Sequence, residues 1–125
     1  MFLDIPSLLR ADEVERLAAI AETLSLVDGR VSNKGNPTKH NLQVDRESPK
    51  PQGFLESARI VSEALGRPRE FREFAFPKCM SQPLLSRFEP GMSYGAHPDA
   101  ACLPVTTSGV LQTDISATVS ITDLE

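Results

Sequence analysis

His97 and Asp99 stand two residues apart, with Pro98 between them. If the segment is extended, side chains at i and i+2 project from the same face of the backbone. An imidazole nitrogen and a carboxylate oxygen so placed are two neighbouring ligands for an octahedral metal. With a second histidine from elsewhere in the fold, the set leaves three positions open on iron(II), enough for a bidentate co-substrate and dioxygen. A His-x-Asp triplet also arises by chance in surface loops, so its setting has to carry the reading.

Residues 87–99 run Arg-Phe-Glu-Pro-Gly-Met-Ser-Tyr-Gly-Ala-His-Pro-Asp: a short strand candidate, a glycine turn, Tyr94 three residues before His97, and then the ligand pair. Downstream comes Gln112-Thr113-Asp114-Ile115-Ser116-Ala117-Thr118, and upstream Asp28-Gly29-Arg30 is followed by Asn41-Leu42-Gln43. In these three separated blocks the chain resembles the bacterial PKHD-type hydroxylases, of the prolyl 4-hydroxylase-like iron(II)/2-oxoglutarate dioxygenases. Their pattern runs Arg-Tyr, two residues, Gly-Met-x-Tyr-Gly, one residue, His-x-Asp-x-Ala, a loop, then Arg-Thr-Asp-Leu-Ser-x-Thr.

The resemblance implies a double-stranded β-helix, or jelly roll, buttressed by helices. It implies oxidative decarboxylation of 2-oxoglutarate coupled to hydroxylation of a substrate C–H bond, with Fe(2+) as metal, 2-oxoglutarate as co-substrate and ascorbate as a further candidate cofactor. The cofactor does the hard chemistry; the protein supplies ligands, a co-substrate pocket and exclusion of water. His97 and Asp99 carry over as the metal ligands. Tyr94 is a candidate contact to co-substrate or substrate, or else a packed tyrosine with a satisfied hydroxyl. Arg30, Asn41 and Gln43 are candidates for the substrate mouth, or else residues whose hydrogen bonds fix loops. The substrate itself, a protein side chain or a small metabolite, is not chosen by any of these residues.

The chain departs from the family pattern in three ways. Phe88 stands where the family shows tyrosine, and Gln112 replaces an arginine. The family's second histidine ligand lies several dozen residues beyond His-x-Asp, followed by a basic residue for the distal carboxylate of 2-oxoglutarate. Neither falls within the 125 residues; the remaining histidine, His40, lies in the irregular N-terminal stretch, at the wrong place for that ligand. The expectation is an oxygenase lineage in which this chain alone is inactive. The competing readings are a non-catalytic dimerisation or binding module and a cupin-like metal protein that does without 2-oxoglutarate.

Composition narrows the class further. Apolar residues are 40% of the chain and charged residues 24%, with a net charge of −4, which is ordinary for a soluble globular protein. No basic stripe suggests nucleic acid, and no run approaches the roughly 18 apolar residues of a membrane span. Cys79 and Cys102 make no disulfide framework and have no metal-ligand spacing. Reduced thiols and the lack of a signal-peptide pattern at the start suggest a cytoplasmic location.

The elements that must position the pair follow from periodicity. Val14, Leu17, Ala18, Ala21 and Leu24 recur at helical spacing, with Glu13, Glu15, Arg16 and Glu22 on the wet side. A second helix is expected from Gln52 to Leu65, with Leu55, Ala58, Val61, Ala64 and Leu65 inward and Gly66 as cap. Pro68 opens a short third helical stretch through Phe74. Leu26-Val27, Asn41 to Val44 and Leu84 to Phe88 are short strand candidates, and Tyr94 to Asp99 is expected to be extended. Leu103 to Gly109 reads as a loop, and the clear alternation from Leu111 to Thr122 as the best strand.

The expected class is α+β: a single domain 1–125, with residues 1–76 as the helical part and 77–125 as the first strands of a jelly roll whose C-terminal strands are missing. A half-covered sheet would leave an apolar face and an edge bare, which predicts a homo-oligomer burying Ile115, Val119 or Ile121.

Overall fold

The computed structural model describes residues 2–28, 39–40, 42–44, 52–94, 102–105 and 109–122. Their elements are α1 (Ala11–Thr23), β1 (Leu26–Asp28), β2 (Lys39–His40), β3 (Leu42–Val44), α2 (Gln52–Gly66), α3 (Arg69–Ala75), β4 (Ser86–Arg87), β5 (Ser93–Tyr94), β6 (Cys102–Val105) and β7 (Gly109–Gln112). The class is α+β. The first 76 residues supply β1 to β3 as well as the helices.

Two helices make the core. On α1 the packed row is Glu13, Leu17, Ile20 and Leu24; on α2 it is Gly53, Ser57, Ile60 and Ala64. Both rows follow the i, i+4, i+7, i+11 spacing of one helix face. The helices run antiparallel, because Gly53 at the start of α2 faces the end of α1 while Arg67, just past α2, reaches Glu13 at the start of α1. A Cβ at Gly53 would come within 3.2 Å of Ile20 Cγ2, so the missing side chain lets the two helices close up there. Leu17, Ile20 and Ile60 form the centre, and Leu9, Leu24, Val61 and Ile121 pack around them.

The helix faces are rotated from those expected. Ala18 and Leu55 are exposed, while Ile20, Phe54 and Ile60 are buried in their stead. The larger side chains win the interior because burying each removes more apolar surface from water. Glu13, expected on the wet side, is only 6% exposed.

Glu13 tolerates that burial because every approach to it carries a donor. Arg67 donates from Nη1 to Oε2 at 2.9 Å and from Nη2 to Oε1 at 2.6 Å. The Arg10 backbone N–H donates to Oε1 at 2.9 Å, capping the first turn of α1. Arg67 Nη2 also donates to the Leu8 carbonyl at 3.1 Å. One carboxylate thus ties the N-terminal segment, the start of α1 and the end of α2 together. Hydrogen bonding from Arg67 and then from Arg10, opposed by desolvation, holds its pKa down at about 2 from an ordinary 4.5.

Helix α3 begins at Pro68, whose fixed φ suits a helix start. It ends at Phe76, which adopts φ 45° and donates its backbone N–H to the Arg72 carbonyl at 2.9 Å. Arg72 Nη1 in turn donates to the carbonyls of Gly66 and Arg67, satisfying acceptors that the end of α2 leaves open. Phe71 is the buried anchor of α3.

The strands are short. β3 lies between β1 and β4 in an antiparallel sheet, with Val27 and Ser86 both registered on Gln43. β2 pairs with β5, Lys39 opposite Tyr94 and His40 opposite Ser93. Since only Asn41 separates β2 from β3, residues 86–94 run antiparallel to residues 39–44 as one interrupted ladder. β6 and β7 form a separate hairpin with Leu103 opposite Leu111.

Three strand expectations need correction. Within Leu84 to Phe88 only Ser86–Arg87 pairs. Residues 102–105, most of them expected in a loop, form β6, where Pro104 is tolerated because a two-stranded ribbon has only edges. The alternating stretch from Leu111 to Thr122 is strand only through Gln112. Alternation makes a strand possible, but the ladder needs a neighbour, and among the described residues no strand of a sheet lies beside 114–122. The alternation survives in burial only in part: Thr113, Val119 and Ile121 are half-buried, but Ile115 and Ala117 are exposed like every even position from Gln112 to Thr122.

Because the folded pKa of Glu13 lies below its ordinary value, its stabilisation is present above pH 4.5 and is lost as pH falls from there towards 2. Glu13→Gln should cost about 2 kcal/mol at neutral pH, as expected for a charged hydrogen-bond acceptor. It should also flatten the pH dependence of the melting temperature between pH 5 and 2; an unchanged slope would mean that another carboxylate controls acid unfolding.

Candidate functional site

The segment that leads into His97 and Asp99 is shaped by a turn. Met92 donates its backbone N–H to the Glu89 carbonyl at 2.8 Å, closing four residues with Pro90 second and Gly91 third. Gly91 has φ +88°. Proline followed by glycine in the left-handed region is the type II pattern, and a Cβ at the third position would be strained whatever the surrounding space. Five residues, 88–92, are thereby looped out between β4 and β5, opposite the single residue that separates β2 from β3. The turn moves the chain from the β3 partner to the β2 partner without reversing its direction.

The sequence candidates fall as follows. His97, Asp99, Arg30 and Asn41 lie outside the described residues. Tyr94 ends β5 with its backbone opposite Lys39. Gln43 is fully buried, 0% exposed, on the central strand β3, and it is not without an interaction there. His40, expected in an irregular stretch, lies in β2 opposite Ser93, on the strand beside the one that leads to the ligand pair. Lys39, His40 and Asn41 are all polar, so no alternation in the sequence marks β2; its pairing with Ser93 and Tyr94 makes it a strand. Among the described residues no three histidine, cysteine, aspartate or glutamate side chains gather closely enough to hold a metal.

Of the positions where the family pattern is broken, Phe88 is 52% exposed. Gln112 turns its amide outward, donating to Asp114 Oδ1 at 3.3 Å. Cys79 is an exposed free thiol. No described helix is long and apolar enough to cross a membrane.

Comparison with known proteins then bears on the ladder and the motif together. No family model matches the chain and no solved structure does. Curated proteins do. A PKHD-type hydroxylase of Sphingopyxis alaskensis is 39% identical over 93% of this chain and 51% of its own length. Others from Paracoccus denitrificans and Klebsiella pneumoniae are 36% and 35% identical over 100% of this chain and 55% of theirs. The chain belongs to the PKHD-type hydroxylase family. It spans about half the length of the curated relatives it matches.

For this PKHD-type chain the matched stretch takes in the helix pair, the interrupted ladder and the His97-Pro98-Asp99 motif alike. The helices are therefore as much a part of the family framework as the motif is. Substituting Gly91→Ala should destabilise the chain by about 1 kcal/mol, the cost of forcing a Cβ into a left-handed turn position. Chemical denaturation checks this, and an unmoved midpoint would show that the turn can reform with another geometry.

Proposed function

We propose that this chain is the N-terminal part of an iron(II)- and 2-oxoglutarate-dependent hydroxylase, with His97 and Asp99 as two of its three metal ligands. The observation that carries the reading is the match to proteins named PKHD-type hydroxylases over 100% of this chain and 55% of theirs, a stretch that includes His97 and Asp99. The donor chemistry fits the metal: one neutral imidazole and one carboxylate are ligands that iron(II) accepts, and with a second histidine they make the two-histidine, one-carboxylate set of non-haem iron oxygenases. When bound, iron with 2-oxoglutarate supplies the oxidising chemistry for a C–H bond.

The residues of this chain hold and orient. The Glu89–Met92 turn and the β2–β5 pairing deliver the ligand segment. Tyr94, Arg30, Asn41 and Gln43 remain the candidates for contacts to co-substrate and substrate, with ascorbate as an accessory reductant. The third ligand and the anchor for the distal carboxylate of 2-oxoglutarate belong to the half of the family's length that this chain does not span. In that arrangement the three-stranded sheet and the β6–β7 hairpin are the first strands of a jelly roll.

The test is an anaerobic titration of the metal-free chain with iron(II) and then 2-oxoglutarate, following the visible charge-transfer band of the ternary complex. A band that needs both additions and disappears in His97→Ala sustains the assignment. Weak, His97-dependent iron binding to which 2-oxoglutarate adds nothing is the outcome for the N-terminal part on its own. Tight iron binding that persists in His97→Ala would overturn the assignment, and tight, His97-dependent binding indifferent to 2-oxoglutarate would favour a cupin-like metal protein.

We propose in addition that the chain self-associates through residues 114–122, where Ile115 is 49% exposed and half-buried Val119 and Ile121 alternate with exposed neighbours. A second copy would pair the open backbone and cover those side chains together. Sedimentation at micromolar concentration should show a dimer or larger species, shifted towards monomer by Ile115→Asp; a monodisperse monomer refutes it.

A further inference from the structure

The stretch between α3 and the ligand segment is not anchored by burial. From Phe76 to Ser93 the side chains are exposed or, at Pro83, Leu84, Leu85 and Met92, half-buried. None of them packs on the centre formed by Leu17, Ile20 and Ile60. Backbone pairing ties the stretch to the rest of the chain: Ser86 opposite Gln43, Arg87 opposite Leu42, Ser93 opposite His40 and Tyr94 opposite Lys39. Strand pairs this short are marginal without a buried face. The Glu89–Met92 turn and the Arg87–Glu89 ion pair, at 3.4 Å, are internal and survive if the stretch moves as a whole.

The stretch also begins at a strained residue. Phe76 has φ 45° and ψ 52°, in the left-handed region that bulky side chains rarely adopt. Pro77 follows, and the residue before a proline prefers extended backbone. The ring is 88% exposed, so its burial does not offset the backbone cost.

We propose that residues 77–94 form a strap, hinged at Phe76, that opens from the helices without unfolding them. On opening, Phe76 relaxes to extended backbone and the four pairs break together, while the helices keep the buried side chains of the core. Sub-global opening starts where buried apolar contacts are few, and residues at the ends of elements absorb the change in backbone angle. The strap leads into His97 and Asp99, so its closure would govern when that segment is presented. That consequence rests on the metal reading above; the opening does not.

Residue-resolved amide hydrogen exchange on the full chain, at low denaturant concentrations, tests the strap. The amides of the β3–β4 and β2–β5 pairs should exchange through an opening that responds weakly to denaturant. Those of Leu17, Ile20 and Ile60 should exchange only with global unfolding and respond steeply. Phe76→Gly removes the strain and should slow strap exchange roughly fivefold, the lower end of the left-handed cost, because glycine's freedom in the open state offsets part of the gain. Phe76→Ala keeps the Cβ and should leave strap exchange unchanged, which separates backbone strain from loss of the ring. Phe76→Asn, whose short side chain tolerates that region, should fall between them.

Global unfolding also relaxes Phe76, so the helix amides slow by the same factor in Phe76→Gly. If they slow and the strap amides do not, the strap does not hinge at Phe76 and the proposal is overturned. One exchange rate and one denaturant response shared by strap and helices overturn it as well. Saturating iron(II) should raise strap protection; iron that binds without raising it overturns the link to the ligand segment. If the parent chain binds no iron while Phe76→Gly slows strap exchange, the metal reading fails and the strap stands.

Discussion

Apolar burial in this chain is concentrated where two helices meet. Every buried apolar side chain among the described residues, from Leu17 to Phe71, sits on α1, α2 or α3. The seam between α1 and α2 closes because Gly53 allows close approach at one end and the Glu13–Arg67 pair ties the other. The ion pair is not an ornament on the surface. It satisfies a carboxylate that the helix packing has already taken out of water, so removing either partner strands the other. Arg67 then extends the tie to Leu8, and Arg72 secures the open carbonyls at the end of α2. Among the described residues, those that pack on the centre of this unit from outside the helices are Leu9, Leu24 and Ile121, and none of them lies in a strand.

That asymmetry defines how the ligand segment is placed. A strand in a large sheet is held by the face it buries, whereas β2 to β5 are too short for that to suffice. They rely on specific devices. The type II turn at Glu89–Met92 sets where β4 ends and β5 begins, with a glycine at the one position that demands it. β4 and β5 pair with β3 and β2, strands separated by one residue in the chain. The region can be correctly paired and still contribute little to global stability, which rests with the helices.

Much of this was legible in the sequence. The helix boundaries follow from periodicity, Pro68 and Gly66, and the turn follows from Pro90-Gly91 between polar strands. The motif and its setting disclosed the family from residues alone. What was not legible has a common cause. Which residue of a nearly symmetric stripe faces inward depends on the neighbouring helix, so Ile20 displaced Ala18 and Phe54 displaced Leu55 only once α1 and α2 had met. Glu13 looked wet because its partner lies 54 residues away in the chain. Alternation between Leu111 and Thr122 announced a strand, but local pattern cannot announce a partner, and the stretch stays strand only while β6 lies beside it. The β6–β7 hairpin was hidden by Pro104 and the threonines, which resemble loop composition in isolation.

The same separation between local and non-local information applies to the ligand pair. Two side chains at i and i+2 of an extended segment share a face wherever that segment is placed, so their mutual geometry is written into spacing alone. The direction of that shared face is not. A slip of two residues preserves it, and a slip of one reverses both ligands together. Chemistry of this kind is therefore easy to read from a sequence and easy to misplace in a structure, since the motif is indifferent to the error that would disable it. The safeguard has to lie outside the motif, in the pairing of β2 with β5 and in the Glu89–Met92 turn that fixes where β5 begins.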